Sequence, residues 1–142
     1  MTQSCIFCRI VRGEIPAYRV YEDERALAFL DINPSAPGHT LIIPKAHVAR
    51  VEDLSQEDAE ALFRALHTLV RGIQEATEAP ASSVGINNGP ESGQEVPHVH
   101  IHVIPRKRGD RGGIMQGLVS STGRPGDEEL RSVAERIREK VG

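Results

Sequence analysis

Three histidines stand in strict alternation with branched apolar residues in His98-Val99-His100-Ile101-His102-Val103-Ile104. In an extended strand successive side chains point to opposite faces, so the run predicts a strand with three imidazoles on one face and Val99, Ile101 and Val103 on the other. One face is then core and the other is chemistry. At a rise of roughly 3.3 Å per residue, neighbouring imidazoles lie about 6–7 Å apart, close enough to act together on one phosphate or one metal ion. Three uses of such a face compete: a solvated hydrophilic surface, a metal site built from neutral imidazoles, and a nucleophilic histidine flanked by two helpers.

The segment upstream, Gly85 to Pro97, reads as a strand ending at Asn87 followed by a loop rich in Gly, Pro and Ser. Gly89 and Gly93 let backbone N–H groups approach an anion, and Asn87 and Gln94 bring neutral side-chain donors. A plain hairpin loop has the same composition; the histidines that follow turn the reading towards phosphate. The chain's two cysteines form a second constellation, Cys5-x-x-Cys8. That spacing suits a redox pair, half of a zinc site, or nothing chemical, and no thioredoxin-like pattern surrounds it.

These residues resemble the histidine triad (HIT) family, defined by His-φ-His-φ-His-φ-φ with φ apolar, which His98 to Ile104 fits at every position. The likeness extends to Cys5-Ile6-Phe7-Cys8-Arg9-Ile10, Gly13-Glu14-Ile15-Pro16, Ala28-Phe29-Leu30-Asp31-Ile32-Asn33-Pro34 and Gly38-His39-Thr40-Leu41-Ile42-Ile43-Pro44-Lys45, and weakens after about Arg106. The resemblance implies a nucleotidyl hydrolase or transferase that cleaves the α-phosphate linkage of nucleoside phosphoramidates or dinucleoside polyphosphates. A phosphorylase-type transferase, or a nucleotide-binding module with little turnover, is the alternative. His100 would attack phosphorus and become transiently nucleotidylated. An imidazole has an ordinary pKa near 6.5, so much of it is neutral and nucleophilic at neutral pH. His102 and Gln94 would contact the phosphate or the bridging atom, with Gly93, Glu95 and Val96 lining its loop. His98 would hold the nucleophile's surroundings in place, and His39 would support the triad. Asp31 would take the ribose hydroxyls, Asn87 would lie near the leaving group, and Phe7, Ile10, Phe29 and Ile32 would hold a purine base. Glu95 departs from the pattern, because many relatives carry a Ser or Thr hydroxyl there and a carboxylate is no donor at neutral pH. Zinc-bearing relatives imply a structural zinc on Cys5, Cys8, His47 and His98. The resemblance also implies a homodimer.

Strands are predicted over Tyr18 to Tyr21, Ala26 to Leu30, Thr40 to Ile43, Val84 to Asn87 and Val99 to Ile104. A long helix from about Gln56 to Glu78, capped by Ser55, carries Ala59, Leu62, Phe63, Leu66, Leu69, Val70 and Ile73 on its expected inner stripe. His67 lies on it without an assigned role. A shorter helix from about Glu128 to Lys140, capped by Asp127, turns Leu130, Val133, Ala134 and Ile137 inward. Strands that cluster without βαβ alternation give an α+β plan. With the resemblance this becomes a five-stranded antiparallel HIT-like sheet with one long helix and a C-terminal helix. The whole of 1–142 reads as one domain, with 106–126 a flexible loop whose cations Lys107, Arg108 and Arg111 are placed at the site or merely solvated. At 142 residues the chain can bury a real core, and net charge −3 argues against nucleic-acid or anionic-membrane partners. The start, Met1 to Cys5, lacks a basic segment and an apolar run, so a cytoplasmic location is expected, where two reduced cysteines are at home.

Overall fold

Five strands, β1 (Arg19–Glu22), β2 (Ala26–Leu30), β3 (Thr40–Pro44), β4 (Ala81–Gly85) and β5 (Ile101–Arg106), are joined to three helices, α1 (Ile6–Val11), α2 (Gln56–Ala76) and α3 (Asp127–Val141). They come from a computed structural model that describes residues 4–120 and 123–142. Residues 1–3, on which the reading of the N-terminal start partly rests, and 121–122 of the expected loop lie outside the described residues. The strands form one antiparallel sheet in the order β1-β2-β3-β5-β4, the α+β plan the sequence predicts. Two compact units are present, 1–112, which holds the sheet, and 113–142, which holds α3. Among the described residues no helix is long and apolar enough to cross a membrane.

The central strands β2 and β3 are apolar almost throughout and buried on both faces, which is why they read as continuous hydrophobic runs rather than as an alternation. One face carries Ala26, Ala28, Ile42, Val99, Ile101 and Val103 and packs against Leu62, Ala65 and Ile73 of α2. Small residues on strand and helix let the two backbones approach closely. On the other face Leu27, Phe29, Leu41 and Ile43 pack against Cys5, Phe7, Cys8 and Ile10 of the α1 segment. The expected division into one core face and one chemical face is therefore corrected: the histidine face is roofed by α1, and His98 and His100 are buried.

The histidine run also departs from the predicted strand. Ladder pairing begins only at Ile101, and His98 and His100 precede it. Val99 donates its amide to Val48 O instead, at 2.7 Å. The chain is still extended enough to keep alternation, so Val99, Ile101 and Val103 share the α2 face. Strand β4 lies three residues earlier than predicted at its start, because its register on β5 pairs Ala81 with Arg106 and Gly85 with His102.

Helix α2 begins as expected, with Ser55 Oγ accepting from the Asp58 amide at 3.1 Å. It stops after Ala76, and Glu78 adopts a left-handed φ of 53°. Its buried stripe is Asp58, Ala61, Leu62, Ala65 and Ile73, whereas Phe63 is 67% exposed and Ala59 is also outside. At about 100° per residue Ala61, Leu62, Ala65 and Ile73 all fall within about 60° of the Asp58 direction, whereas Ala59 and Phe63 are carried about 100° and 140° from it, off the buried face. Asp58 is buried because Arg25 pairs with it at 3.0 Å. Helix α3 starts at Asp127 with Gly126 at its cap position and no side-chain cap. Leu130, Val133 and Ile137 stay exposed, and spacing of this kind fixes which side chains share a side rather than what covers them. The first part of the expected 106–126 loop is a built turn: Asp110 accepts from Arg106, Lys107 N and Gly112 N.

Candidate functional site

A cleft of about 470 Å³ opens between α1, the end of β2 and the loop before β5. Phe7, Ile10, Phe29, Asp31, Ile32, Asn87, Gly93, Glu95, Val96, His39, His100 and His102, all expected from sequence, line it together with Ile6, Ile15, Ala17 and Leu41, which were not. Gln94 and His98 do not line it, and Gln94 is turned to other partners. Its amide nitrogen donates to Ala49 O at 2.8 Å and Val96 O at 2.9 Å, and its oxygen accepts from Gly89 N at 2.7 Å. The carboxamide is used up in holding the loop, with little left for a substrate. The loop turns on Gly89 and Gly93, at φ 96° and 100°, values that L side chains rarely adopt.

The imidazoles converge. His100 and His102 rings are 5.0 Å apart, closer than the spacing of a flat strand, and Phe7 packs edge-on against His100 at 5.1 Å and His98 at 5.7 Å. Backbone groups then decide which nitrogen of each ring carries its proton. His100 Nδ1 lies 2.8 Å from the carbonyl of His98, which can only accept, so Nδ1 bears hydrogen and Nε2 keeps a lone pair. His39 Nδ1 accepts from the Ser35 amide at 3.1 Å, so its Nε2 carries the proton and donates to His102 Nδ1 at 2.9 Å. His102 Nε2 is left as a donor. Burial holds His39 and His102 below the ordinary imidazole value near 6.5, the His100 and His39 rings add to this at His102, and Asp31 opposes it at both. Two neutral rings therefore form a directed hydrogen-bond chain starting at a main-chain amide.

That chain depends on where His39 sits. Gly38, at φ 88°, makes the turn before it, and a Cβ there would meet Thr77 Cγ2. Asp31 divides its labour: Oδ1 accepts from Asn33 N at 2.8 Å, setting the turn, and Oδ2 faces His39 Nε2 at 3.7 Å. Asp31, His39 and His102 are close enough to suggest a metal triad. The Ser35 amide argues against it, since a neutral His39 ligating through Nε2 would point an Nδ1 proton at that N–H.

The second cluster has the opposite character. Cys5 Sγ lies 3.4 Å and Cys8 Sγ 3.6 Å from His98 Nδ1, and Cys8 Sγ lies 3.2 Å from His47 Nδ1. The four ligand atoms fall within 4.8 Å of one another. Zinc bonds of ~2.3 Å to sulfur and ~2.0 Å to nitrogen give tetrahedral edges of about 3.3–3.8 Å, so these residues fit that ion with little movement. His98 Nε2 donates to Pro44 O at 2.8 Å, which leaves the Nδ1 lone pair aimed at the thiols. Burial, then the neighbouring Cys5, push the Cys8 thiol up to about 11. A cation must therefore displace its proton. The sequence could not have shown that a strand-end carbonyl fixes the His98 tautomer.

A model of the HIT domain matches residues 12–109. Protein hit from Bacillus subtilis is 39% identical over 140 residues, 98% of this chain and 95% of its own. The adenosine 5′-monophosphoramidase hnt1 of Schizosaccharomyces pombe is 39% identical over 138 residues, 97% of this chain and 98% of its own. Among solved structures, SMU.412c from Streptococcus mutans superimposes with a TM-score of 0.89 at 39% identity, covering 98% of this chain and 86% of its own. A Zn-bound histidine triad family protein from Mycobacterium smegmatis does so with a TM-score of 0.73 at 35% identity, covering 99% of each chain. With the triad, the sheet and these matches together, the chain belongs to the HIT family.

Proposed function

We propose that this protein is a nucleotidyl hydrolase that cleaves a nucleoside 5′-phosphoryl compound at the α-phosphorus through a nucleotidyl-His100 intermediate. The observation that carries the reading is the Nδ1–H of His100 on the His98 carbonyl at 2.8 Å, which leaves Nε2 as a lone pair on a residue that lines the cleft. Nε2 attacks phosphorus, the bond from phosphorus to the leaving group breaks, and the leaving atom takes the electron pair and a proton from solvent. The resulting N-phosphoryl imidazolium keeps its Nδ1–H on the same carbonyl, which offsets the positive charge. Water then attacks phosphorus, the P–N bond breaks with its electrons returning to Nε2, water's proton goes to solvent, and the nucleoside monophosphate leaves. Splitting the displacement in two lowers each barrier.

His102 Nε2–H and the Glu95 and Val96 amides, which bond to no described residue, are donors for the phosphoryl oxygens. The apolar wall of Phe7, Ile10, Phe29 and Ile32 suits a purine, and Asp31 Oδ2 suits ribose hydroxyls. Gln94 acts as a positioning residue for the loop. The phosphoramidase name of a relative at 39% identity supports an adenosine phosphoramidate as substrate, with dinucleoside polyphosphates as the other class. Cys5, Cys8, His47 and His98 would hold a structural zinc that braces the segment behind the nucleophile. In this reading 1–142 works as one HIT domain and pairs as a homodimer; Phe63, 67% exposed on α2, is the kind of side chain such a contact covers.

Mass spectrometry of protein quenched during turnover of an adenosine phosphoramidate tests the reaction. A nucleotidyl adduct on His100, with release of AMP falling on the order of 10³-fold or more in His100→Ala, is expected. Equal, negligible release by both proteins would leave a nucleotide-binding module. Adduct transfer to added phosphate in preference to water would make the enzyme a phosphorylase.

A further inference from the structure

The charges around the cleft are lopsided. Among the described residues its lining contains two carboxylates, Asp31 and Glu95, and no lysine or arginine. Asp31 is tied to the turn at Asn33 and faces His39. Glu95 is exposed and makes no hydrogen bond or ion pair to a described residue, so its charge is free to act on whatever occupies the loop side of the cleft. Sites that take several phosphates usually surround them with Arg and Lys, because each added oxyanion needs a compensating donor or cation. Here the histidines His39 and His102 are held neutral by burial, and the compensation for one phosphoryl group comes from ring and main-chain N–H donors. Among the described lining residues no lysine or arginine is placed to meet a second anion.

From this arrangement we infer that Glu95 is a specificity-determining residue that selects the leaving group by its charge, favouring amines that carry a positive charge and disfavouring sulfate and polyphosphate. The inference rests on the nucleotidyl-transfer reading and narrows it to one of its two substrate classes. Asn87, Gly93 and Glu95 line the cleft from the segment between β4 and β5, a different part of the chain from the apolar α1 and β2 residues assigned to the base, so in the nucleotidyl-transfer reading the group beyond phosphorus is assigned to the side that carries the carboxylate. A unit charge about 7 Å from a carboxylate in a largely solvated cleft, at an effective dielectric of roughly 40–80, changes kcat/KM about three- to eightfold. Several charges on one leaving group multiply that factor.

The experiment compares three adenosine 5′-phosphoryl substrates: a phosphoramidate of a diamine whose far end is an ammonium, one of a neutral alkylamine, and adenylyl sulfate. The quantity read is the ratio of kcat/KM for the cationic over the anionic leaving group, in which any common effect on folding or on phosphate binding cancels. Glu95→Gln is expected to lower that ratio about tenfold or more and Glu95→Lys further, with the wild-type ratio shrinking as salt is raised. A ratio unchanged in both variants would overturn the inference. Equilibrium binding of the same three compounds to His100→Asn protein, with and without Glu95→Gln, reads the same charge preference as affinity. A charge preference in that assay upholds the role of Glu95 even if the wild type turns nothing over, whereas affinities insensitive to Glu95 sink it even if the nucleotidyl enzyme is confirmed.

Discussion

Replacing Gln94 by alanine separates a residue that touches substrate from one that builds the wall around it. Its carboxamide makes three hydrogen bonds, to Gly89 N, Ala49 O and Val96 O, all in partly buried surroundings. Each is worth about 0.5–1.5 kcal/mol net, and water can reach part of what the truncation exposes, so Gln94→Ala should cost about 1.5–3 kcal/mol. With a urea m-value of about 1.5 kcal/mol/M, that is a midpoint lowered by roughly 1–2 M at unchanged slope. Gln94→Glu keeps the acceptor for Gly89 N but sets a carboxylate against two carbonyls, and should be at least as destabilising. In steady-state assays both variants should raise KM and lower kcat together, because the loop carrying Gly93, Glu95 and Val96 is loosened as a unit. If Gln94→Ala unfolds within about 0.5 kcal/mol of wild type while kcat alone falls more than tenfold, the amide acts on the substrate and the positioning argument fails.

Stability should depend on pH through His39 and His102, both held below 6.5 by burial. The unfolded chain then binds more protons than the folded one between the folded and the ordinary values. Their contribution is fully present above about pH 6.5 and is lost as pH falls through the folded values, at up to about 1.4 kcal/mol per pH unit for each proton. Chemical denaturation at stepped pH measures that slope, which should shrink in His102→Asn. Treatment with a strong chelator should release about one zinc per chain and lower the melting temperature by about 10 °C or more, whereas Cys8→Ser protein should bind little metal and barely respond. Leu62→Ala, at a position only 4% exposed under the sheet, should cost about 2–5 kcal/mol in urea unfolding while KM for nucleotide stays within twofold.

Much of the candidate site was legible because strand-like alternation is a strong signal. The pattern from His98 to Val103 put the apolar residues on one side and the imidazoles on the other even though ladder pairing starts only at Ile101. Alternation reports extended backbone and does not require a neighbouring strand. The family resemblance placed Cys5, Phe7, Cys8 and Ile10 on the histidine side, but that they sit on a helix was not legible. Helix α1 is six residues long, too short for a period to declare itself, and its residues Ile6 to Val11 are apolar enough to suit a strand as well. Phe63 entered the expected stripe of α2 by hydrophobicity, though it lies nearly opposite Ala61 and Ala65 around the axis. The tautomers of His39, His98 and His100 are set by Ser35 N, Pro44 O and His98 O, main-chain groups that no residue type announces.

Residue 98 serves two neighbours with different atoms. Its ring faces the thiols, while its carbonyl dictates which nitrogen of the next imidazole stays open. Deleting the ring leaves the carbonyl in the chain, so an alanine there removes the group facing the thiols without removing the one that orients the proposed nucleophile. Any drop in turnover in such a protein would measure how firmly the cluster anchors the peptide unit rather than a proton moved by the lost side chain. The first member of the triad is on this view an anchor by its side chain and a template by its backbone.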